Sequence, residues 1–444
     1  MATSNQDTKS EGAHATDWLG VNVVLLDGED PEAPHKRVSH PPKSNPAAAV
    51  FNGTHPSGPI VRRKESGQQE HYGWLRQLDL RLDVPDMDEI LSWDFDVLLF
   101  EENVLVEVFL KLLDYYKLVE KFGMDRAMLK KYCLLVMNRH YKDCFYHTVV
   151  FGGGEEKEER IEADYQTLCE YHNWYHAVSC AHASFLFLSL GEADQYLSSE
   201  EIFAIIMGAL IHDMDHPGTN NDFEVKRNST LAKQYANDAV LERQSITAGL
   251  EICKEQPELD WLKFFQNEET RDLVETYLKE CILATDPARH ACVIQDALLI
   301  IENGQKFQND KNEPTYLDKN DPFHRTLIGR IIVHCADISN PLHSSFEVAR
   351  DWAVRVTTEF SRQASREKEL NLPVTTFMDG IDSEYKIAKL QIGFFGFMVK
   401  PLFHTAGLLF PKSSHLEDWG EDNCDGYREV IKKYEEEHNI TPSS

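Results

Sequence analysis

The sequence predicts an all-α protein behind a disordered N-terminal leader, and three observations carry that prediction. From Tyr72 onward apolar residues recur at spacings of three and four. No stretch alternates apolar and polar residues for long enough to make a strand. Residues 1–72 are instead rich in Ser, Pro, His, Ala and Asn and have no sustained apolar period, the composition of a chain that cannot bury a core. Within this leader only Val21-Asn-Val-Val-Leu-Leu26 forms an apolar island.

The remaining elements follow in chain order. Glu102–Phe122 reads as one helix, with Val104, Val108, Leu112, Tyr115 and Val119 on a single stripe and Gly123 as the residue that ends it. The acidic, glycine-rich run Gly152–Arg160 reads as an exposed loop. Ser198-Ser-Glu-Glu201 is a helix start, with a capping hydroxyl and early acids at the positive end of the helix dipole. No long linker divides residues 73–444, which predicts one large domain of packed helical subdomains. The most continuous apolar run, Ile202–Ile211, has ten residues against about 20 for a membrane crossing, so no transmembrane segment is expected.

Charge and cysteine usage narrow the function classes. Asp plus Glu number 74 against 45 Lys plus Arg, and a net charge of -29 argues against a nucleic acid polymer as partner. Nine scattered cysteines, never in a Cys-x-x-Cys pair, suit a reducing, cytoplasmic setting. The N-terminal residues from Met1 lack a secretory pattern, and Ala2 stands where myristoylation requires glycine.

Three clusters carry chemistry. In Tyr171-His-Asn-Trp-Tyr-His-Ala177, His172 and His176 lie four apart, which on a helix turns both imidazoles to one side. In His212-Asp-Met-Asp-His-Pro-Gly218 the four spacing recurs between His212 and His216, with Asp213 beside the first. The apolar helix that runs into this group would bury an unpaired carboxylate at high cost, and a cation removes that cost. The third cluster, Ile331–Asn340, repeats the pattern with His334 and Asp337, and His334 reads as a satisfied core histidine because Asp337 completes the set. Histidine and carboxylate donors without thiolates suit zinc, magnesium, manganese or iron, and they argue against a purely structural zinc site.

With these residues in order and at these intervals, the chain resembles the class I cyclic nucleotide phosphodiesterases from about Trp93-Asp-Phe-Asp96 to about Leu402. The resemblance implies the family's compact all-helical domain of three subdomains. It implies His176, His212, Asp213 and Asp337 as ligands of a first metal, Zn2+, with Asp213 bridging to a second, Mg2+ or Mn2+. Glu242, Asp286 and His216 correspond to the groups that hold that second metal's waters, and His172 to the general acid, with Glu242 orienting it. Gln391 and Phe394, one helical turn apart, correspond to the purine-reading amide and the clamping ring. Val356, four after Trp352, is the opposing jaw, and Tyr171 and Asn340 line the same pocket.

The implied reaction is hydrolysis of a 3′,5′-cyclic nucleotide, cAMP leaned over cGMP, to the 5′-monophosphate. A homodimer and a regulatory partner reached through the leader complete the expected associations. Two rivals stand beside this reading: an HD-type phosphohydrolase acting on linear nucleotides, and a catalytically silent cyclic-nucleotide-binding scaffold. Gln391 with Phe394 speaks against the first, and His172 with the four ligand residues against the second. Three features depart from the family pattern: Ser179 where aspartate is usual, Arg243-Gln-Ser245 where Asn-His-His is usual, and the acidic insertion before Tyr171.

Overall fold

In the computed structural model the described residues are 75–141 and 169–440, so the leader, its apolar island and the 152–160 run lie outside them. Twelve α-helices of ten residues or more make up most of the described chain: α1 Glu102–Tyr115, α2 Arg126–Tyr141, α3 Trp174–Ser189, α4 Ser199–Ile211, α5 Val240–Glu255, α6 Glu268–Leu283, α7 His290–Glu302, α8 Pro322–Asp337, α9 Phe346–Glu369, α10 Glu384–Phe394, α11 Lys400–Leu409 and α12 His415–Glu437. Short helical turns connect them. Among the described residues the only strands are the two-residue pieces Phe307–Gln308 and Pro314–Thr315, paired antiparallel across a short turn. The expected all-helical architecture is therefore what the chain adopts.

The centre is built from α3, α4, α6 and α8, which pack on one another. Helix α4 is buried without a break from Glu201 to Ile211, as its unrelieved apolar sequence demands. It starts in the capping box read from the sequence: Glu201 N–H donates to Ser198 Oγ (3.2 Å), and Ser198 N–H donates to the Glu201 carboxylate (2.8 Å). One apolar cluster runs from Ile90 to Cys424, so the helical subdomains share a core.

Where α8 crosses α6 the backbones come unusually close. A Cβ built on Gly329 would lie 2.6 Å from Tyr277 Cε1 and 2.8 Å from Cys281 Sγ. Gly329→Ala is expected to cost about 1–3 kcal/mol in chemical denaturation, despite the better helix propensity of alanine, because the clash forces α6 away. Unchanged stability would mean that the crossing is looser than the coordinates show.

One expectation is corrected. The Glu102–Phe122 helix is broken: α1 ends at Tyr115, Lys117 turns left-handed (φ 54°), and Leu118–Phe122 forms a separate turn closed by Gly123 (φ 66°). An amphipathic stripe continues across such a break, so the pattern alone does not reveal it. Elsewhere, α10 and α11 join through a π-helical turn, Phe395–Val399, into a run Glu384–Leu409 long and apolar enough to cross a membrane by length and composition alone. A search for uninterrupted apolar residues passes over it. Here α10 packs on α12, and α11 on α7 and α12.

Candidate metal centre and active site

The three sequence clusters meet where the central helices end. His176 comes from the first turn of α3, His212 caps the C-terminus of α4, Asp213 lies in the turn that follows, and Asp337 is the last residue of α8. His176 Nε2 is 3.0 Å from Asp337 Oδ1 and 3.2 Å from Asp213 Oδ2. His212 Nε2 is 3.0 Å from Asp213 Oδ2, 3.2 Å from Asp337 Oδ1 and 3.2 Å from His176 Nε2. One donor atom from each residue lies within 4.8 Å of all the others.

The donor set fits a cation. Two imidazole nitrogens and two carboxylates converge where the two histidines are almost fully buried. His212 Nδ1 donates to the Ala209 carbonyl (2.8 Å), which leaves the Nε2 lone pair to face the cluster. The buried Asp213 Oδ2 has no hydrogen-bond partner of acceptable geometry. Burial pulls the His212 pKa down, yet the adjacent Asp213 carboxylate raises it well above its usual value; burial likewise opposes ionisation of Asp213, and His212 lowers its pKa well below the carboxylate range. Positive charge is therefore favoured among these groups.

The general-acid candidate sits beside this cluster. His172 was expected on the helix, but Asn173 caps α3 by accepting from Tyr175 N–H, so His172 precedes the first turn. Its ring still lies 5.7 Å from that of His176. His172 Nδ1 donates to Glu359 Oε2 (2.6 Å), while Glu359 Oε1 accepts the backbone N–H groups of Tyr171 (2.6 Å) and His172 (2.9 Å). Burial lowers the His172 pKa, but Glu359 overcomes it and holds it at about 9, and burial of Glu359 is overcome by His172, which holds the carboxylate at about 2. The imidazole is thus protonated at neutral pH.

Glu359 therefore takes the place expected of Glu242. Glu242 is instead held by Asn221 Nδ2 (3.0 and 3.2 Å to its two oxygens), and burial with Asp286 nearby raises its pKa to about 8. Burial also raises Asp286. The His216 ring stacks on His172 at 3.9 Å, and burial together with the His172 charge lowers its pKa to about 3, so a neutral ring covers a cationic one. Its Nδ1 accepts Gly218 N–H at 3.1 Å. His334 pairs with His290 (2.8 Å) inside the core, apart from the four donors.

Among the pocket residues, Tyr171 and Asn340 are brought together: Asn340 Nδ2 donates to the Tyr171 hydroxyl at 3.0 Å, and both are buried. The Tyr171 ring packs against His176 (4.5 Å) and edge-on to Trp352 (5.7 Å). Val356 on α9 and Phe394 on α10 are half-buried against the core, and Gln391 is buried on α10.

The departures from the family pattern have defined contacts. Ser179 Oγ donates to Asn340 Oδ1 (3.2 Å). Ser245 Oγ reaches the Met214 and Leu241 carbonyls (3.0 and 3.1 Å), and Gln244 Nε2 reaches Asp215 (3.4 Å), which also pairs with Arg139. Gln244 and Ser245 thus support the 213–216 turn from behind.

Comparison with known proteins agrees with this geometry. The sequence profile described as 3′5′-cyclic nucleotide phosphodiesterase matches residues 171–418. The chain is 27% identical over 355 residues to the 3′,5′-cyclic-nucleotide phosphodiesterase regA of Dictyostelium discoideum, covering 78% of this chain and 39% of that protein. It is 28% identical over 274 residues to the 3′,5′-cyclic-AMP phosphodiesterase 4C of Rattus norvegicus, covering 61% and 49%. The chain therefore spans less than half the length of these curated relatives. The crystal structure of the phosphodiesterase domain of Salpingoeca rosetta rhodopsin phosphodiesterase superposes with a TM-score of 0.68 at 26% identity, over 79% of this chain and 95% of that one.

Proposed function

The chain belongs to the 3′5′-cyclic nucleotide phosphodiesterase family, and from that premise we propose that it hydrolyses the 3′ ester of a 3′,5′-cyclic nucleotide to the 5′-monophosphate. The observation that carries the proposal is the convergence of four metal-type donors beside a histidine hydrogen-bonded to Glu359. His176, His212, Asp213 and Asp337 would hold a first ion, Zn2+, and Asp213 would also serve a second, Mg2+ or Mn2+. When bound, such cations would neutralise the phosphoryl oxygens and lower the pKa of a water.

The chain's own residues supply the rest. His172 carries a proton and is assigned to give it to the departing 3′ oxygen, which would otherwise leave as an alkoxide. Glu359 keeps that proton in place and fixes the ring by accepting two backbone N–H groups as well. Glu242 and Asp286, buried and raised, hold hydrogen-bonding capacity for metal-bound water, and His216 closes the space over His172. Gln391, Phe394, Val356, Tyr171 and Asn340 are assigned to the purine, with cAMP leaned over cGMP.

The test is an assay of the purified chain on both nucleotides before and after chelation. Turnover is expected to vanish with a strong chelator and to return with added Zn2+ and Mg2+, the product being the 5′-monophosphate. Equal turnover after complete metal removal, or preferential hydrolysis of a linear nucleotide, would defeat the proposal.

A further inference from the structure

Three buried polar side chains stand one turn apart along α9, and each grips a different segment. Glu359 holds His172, as described above. Gln363 takes Asn220 in two hydrogen bonds: its Oε1 accepts the Asn220 N–H (2.9 Å), and its Nε2 donates to Asn220 Oδ1 (3.1 Å). Glu367 accepts from Gln363 Nε2 (2.9 Å) and from the N–H and hydroxyl of Thr375 (2.6 and 2.8 Å). None of the three is more than 3% exposed. Because Glu367 accepts at every contact, it fixes the sense of the Gln363 amide. Turning that amide over would set its carbonyl against the carboxylate and its NH2 against the Asn220 N–H.

The grip on Asn220 reaches Glu242. Asn220 caps the short helix Asn221–Lys226 by accepting the Phe223 N–H (2.9 Å), so Asn221 opens that helix directly behind the gripped residue. Asn221 is in turn clasped to the start of α5. Its Oδ1 accepts the Leu241 N–H (2.9 Å), and its Nδ2 donates to both oxygens of Glu242 (3.0 and 3.2 Å). The bearing of the buried Glu242 carboxylate is therefore set by Asn221, and the place of Asn221 by Gln363.

We propose that Gln363 is a positioning residue for the second cation: through Asn220 and Asn221 it sets Glu242, while Glu359 on the same helix sets His172. The inference rests on the reading of Glu242 as a holder of that cation's water. Four residues of α-helix separate Glu359 from Gln363 by about 6 Å along the axis, so the general acid and the water-holding carboxylate share one rigid reference. Packing support alone would cost stability and leave metal affinity unchanged.

The experiment titrates Mn2+ into the zinc-loaded full chain without nucleotide and reads free Mn2+ by electron paramagnetic resonance. Gln363→Leu and Asn220→Ala are each expected to raise the Mn2+ Kd about tenfold, the scale on which groups that orient metal ligands act, with zinc content unchanged. Asn220→Asp, whose carboxylate still accepts from the Phe223 N–H and Gln363 Nε2, keeps at least the wild-type affinity. Beside Glu242→Ala, Gln363→Leu is expected to add nothing, because the two act through one path. Asn220→Ala, at a less buried position, decides the matter if Gln363→Leu does not fold. An Mn2+ Kd unmoved in a folded Gln363→Leu or Asn220→Ala, or a loss that persists in full beside Glu242→Ala, overturns this inference alone. No Mn2+ binding by zinc-loaded wild type overturns the second-ion assignment and this inference with it. Turnover of neither nucleotide by metal-loaded wild type overturns the phosphodiesterase reading, while the Mn2+ isotherm still decides this one.

Discussion

Asp213→Asn is expected to reduce turnover by about a thousandfold or more while leaving the fold in place. The Asp213 carboxylate approaches both His176 and His212, and its Oδ2 is buried without a hydrogen-bond partner. Asparagine keeps the shape and removes the charge, so the site loses the group best placed to share two cations. Metal stabilisation of the transition state amounts to several kcal/mol, and each 1.36 kcal/mol is a factor of ten in rate. The measurement is kcat/KM together with bound-metal analysis and circular dichroism on the same sample. A folded variant that keeps its metal and most of its rate would show that Asp213 is not a ligand.

The second large effect concerns pH. His172 acts as an acid only while protonated, and Glu359, helped by the Asp213 and Asp337 carboxylates, holds its pKa at about 9 against the opposing pull of burial. The wild-type rate should therefore fall as pH rises through about 9. In Glu359→Gln the amide still accepts the Tyr171 and His172 backbone N–H groups, but the charge is gone, and the alkaline limb is expected to move towards the ordinary histidine value of about 6.5. At pH 8.5 the rate should drop on the order of a hundredfold, with a much smaller loss at pH 6. A profile of log kcat/KM against pH that keeps its alkaline limb near 9 would remove Glu359 from this role.

The same pair links pH to stability. The raised His172 pKa contributes stability that is complete below its unfolded value of about 6.5 and is lost as pH rises through about 9. The depressed Glu359 pKa contributes stability present above about 4.5 and lost as pH falls through about 2.

The sequence made the four metal-type donors legible because His212, Asp213 and Asp337 are polar at the ends of long apolar runs, a placement that costs too much without a partner, and His176 stands four residues from His172 in a short polar motif. Helix class and the Ser198 cap were legible for equally local reasons. What escaped was decided by groups distant in the chain. Glu359 lies 187 residues from His172, on a helix whose buried polar side chains Glu359, Gln363 and Glu367 look like one more solvated stripe. The signal that could have found it is register: Glu359 follows Trp352 and Val356 at spacings of seven and three, on the face assigned to the pocket. Glu242 drew the role instead because it stood in a motif. The position of His172 was misread for a smaller reason, since the neighbouring Asn173 ends the helix before it.

The π-helical turn at Phe395–Val399 divides one long helix into two phases. Pro401 has no N–H to offer Phe397, so the widened turn absorbs the missing bond. An extra residue inserted into an α-helix swings everything beyond it by about 100° about the axis. Gln391 and Phe394 on one side of the turn, and Leu402, Phe403 and Ala406 on the other, therefore keep independent bearings. Deleting a single amino acid there would straighten the rod yet aim its distal half at the wrong neighbours.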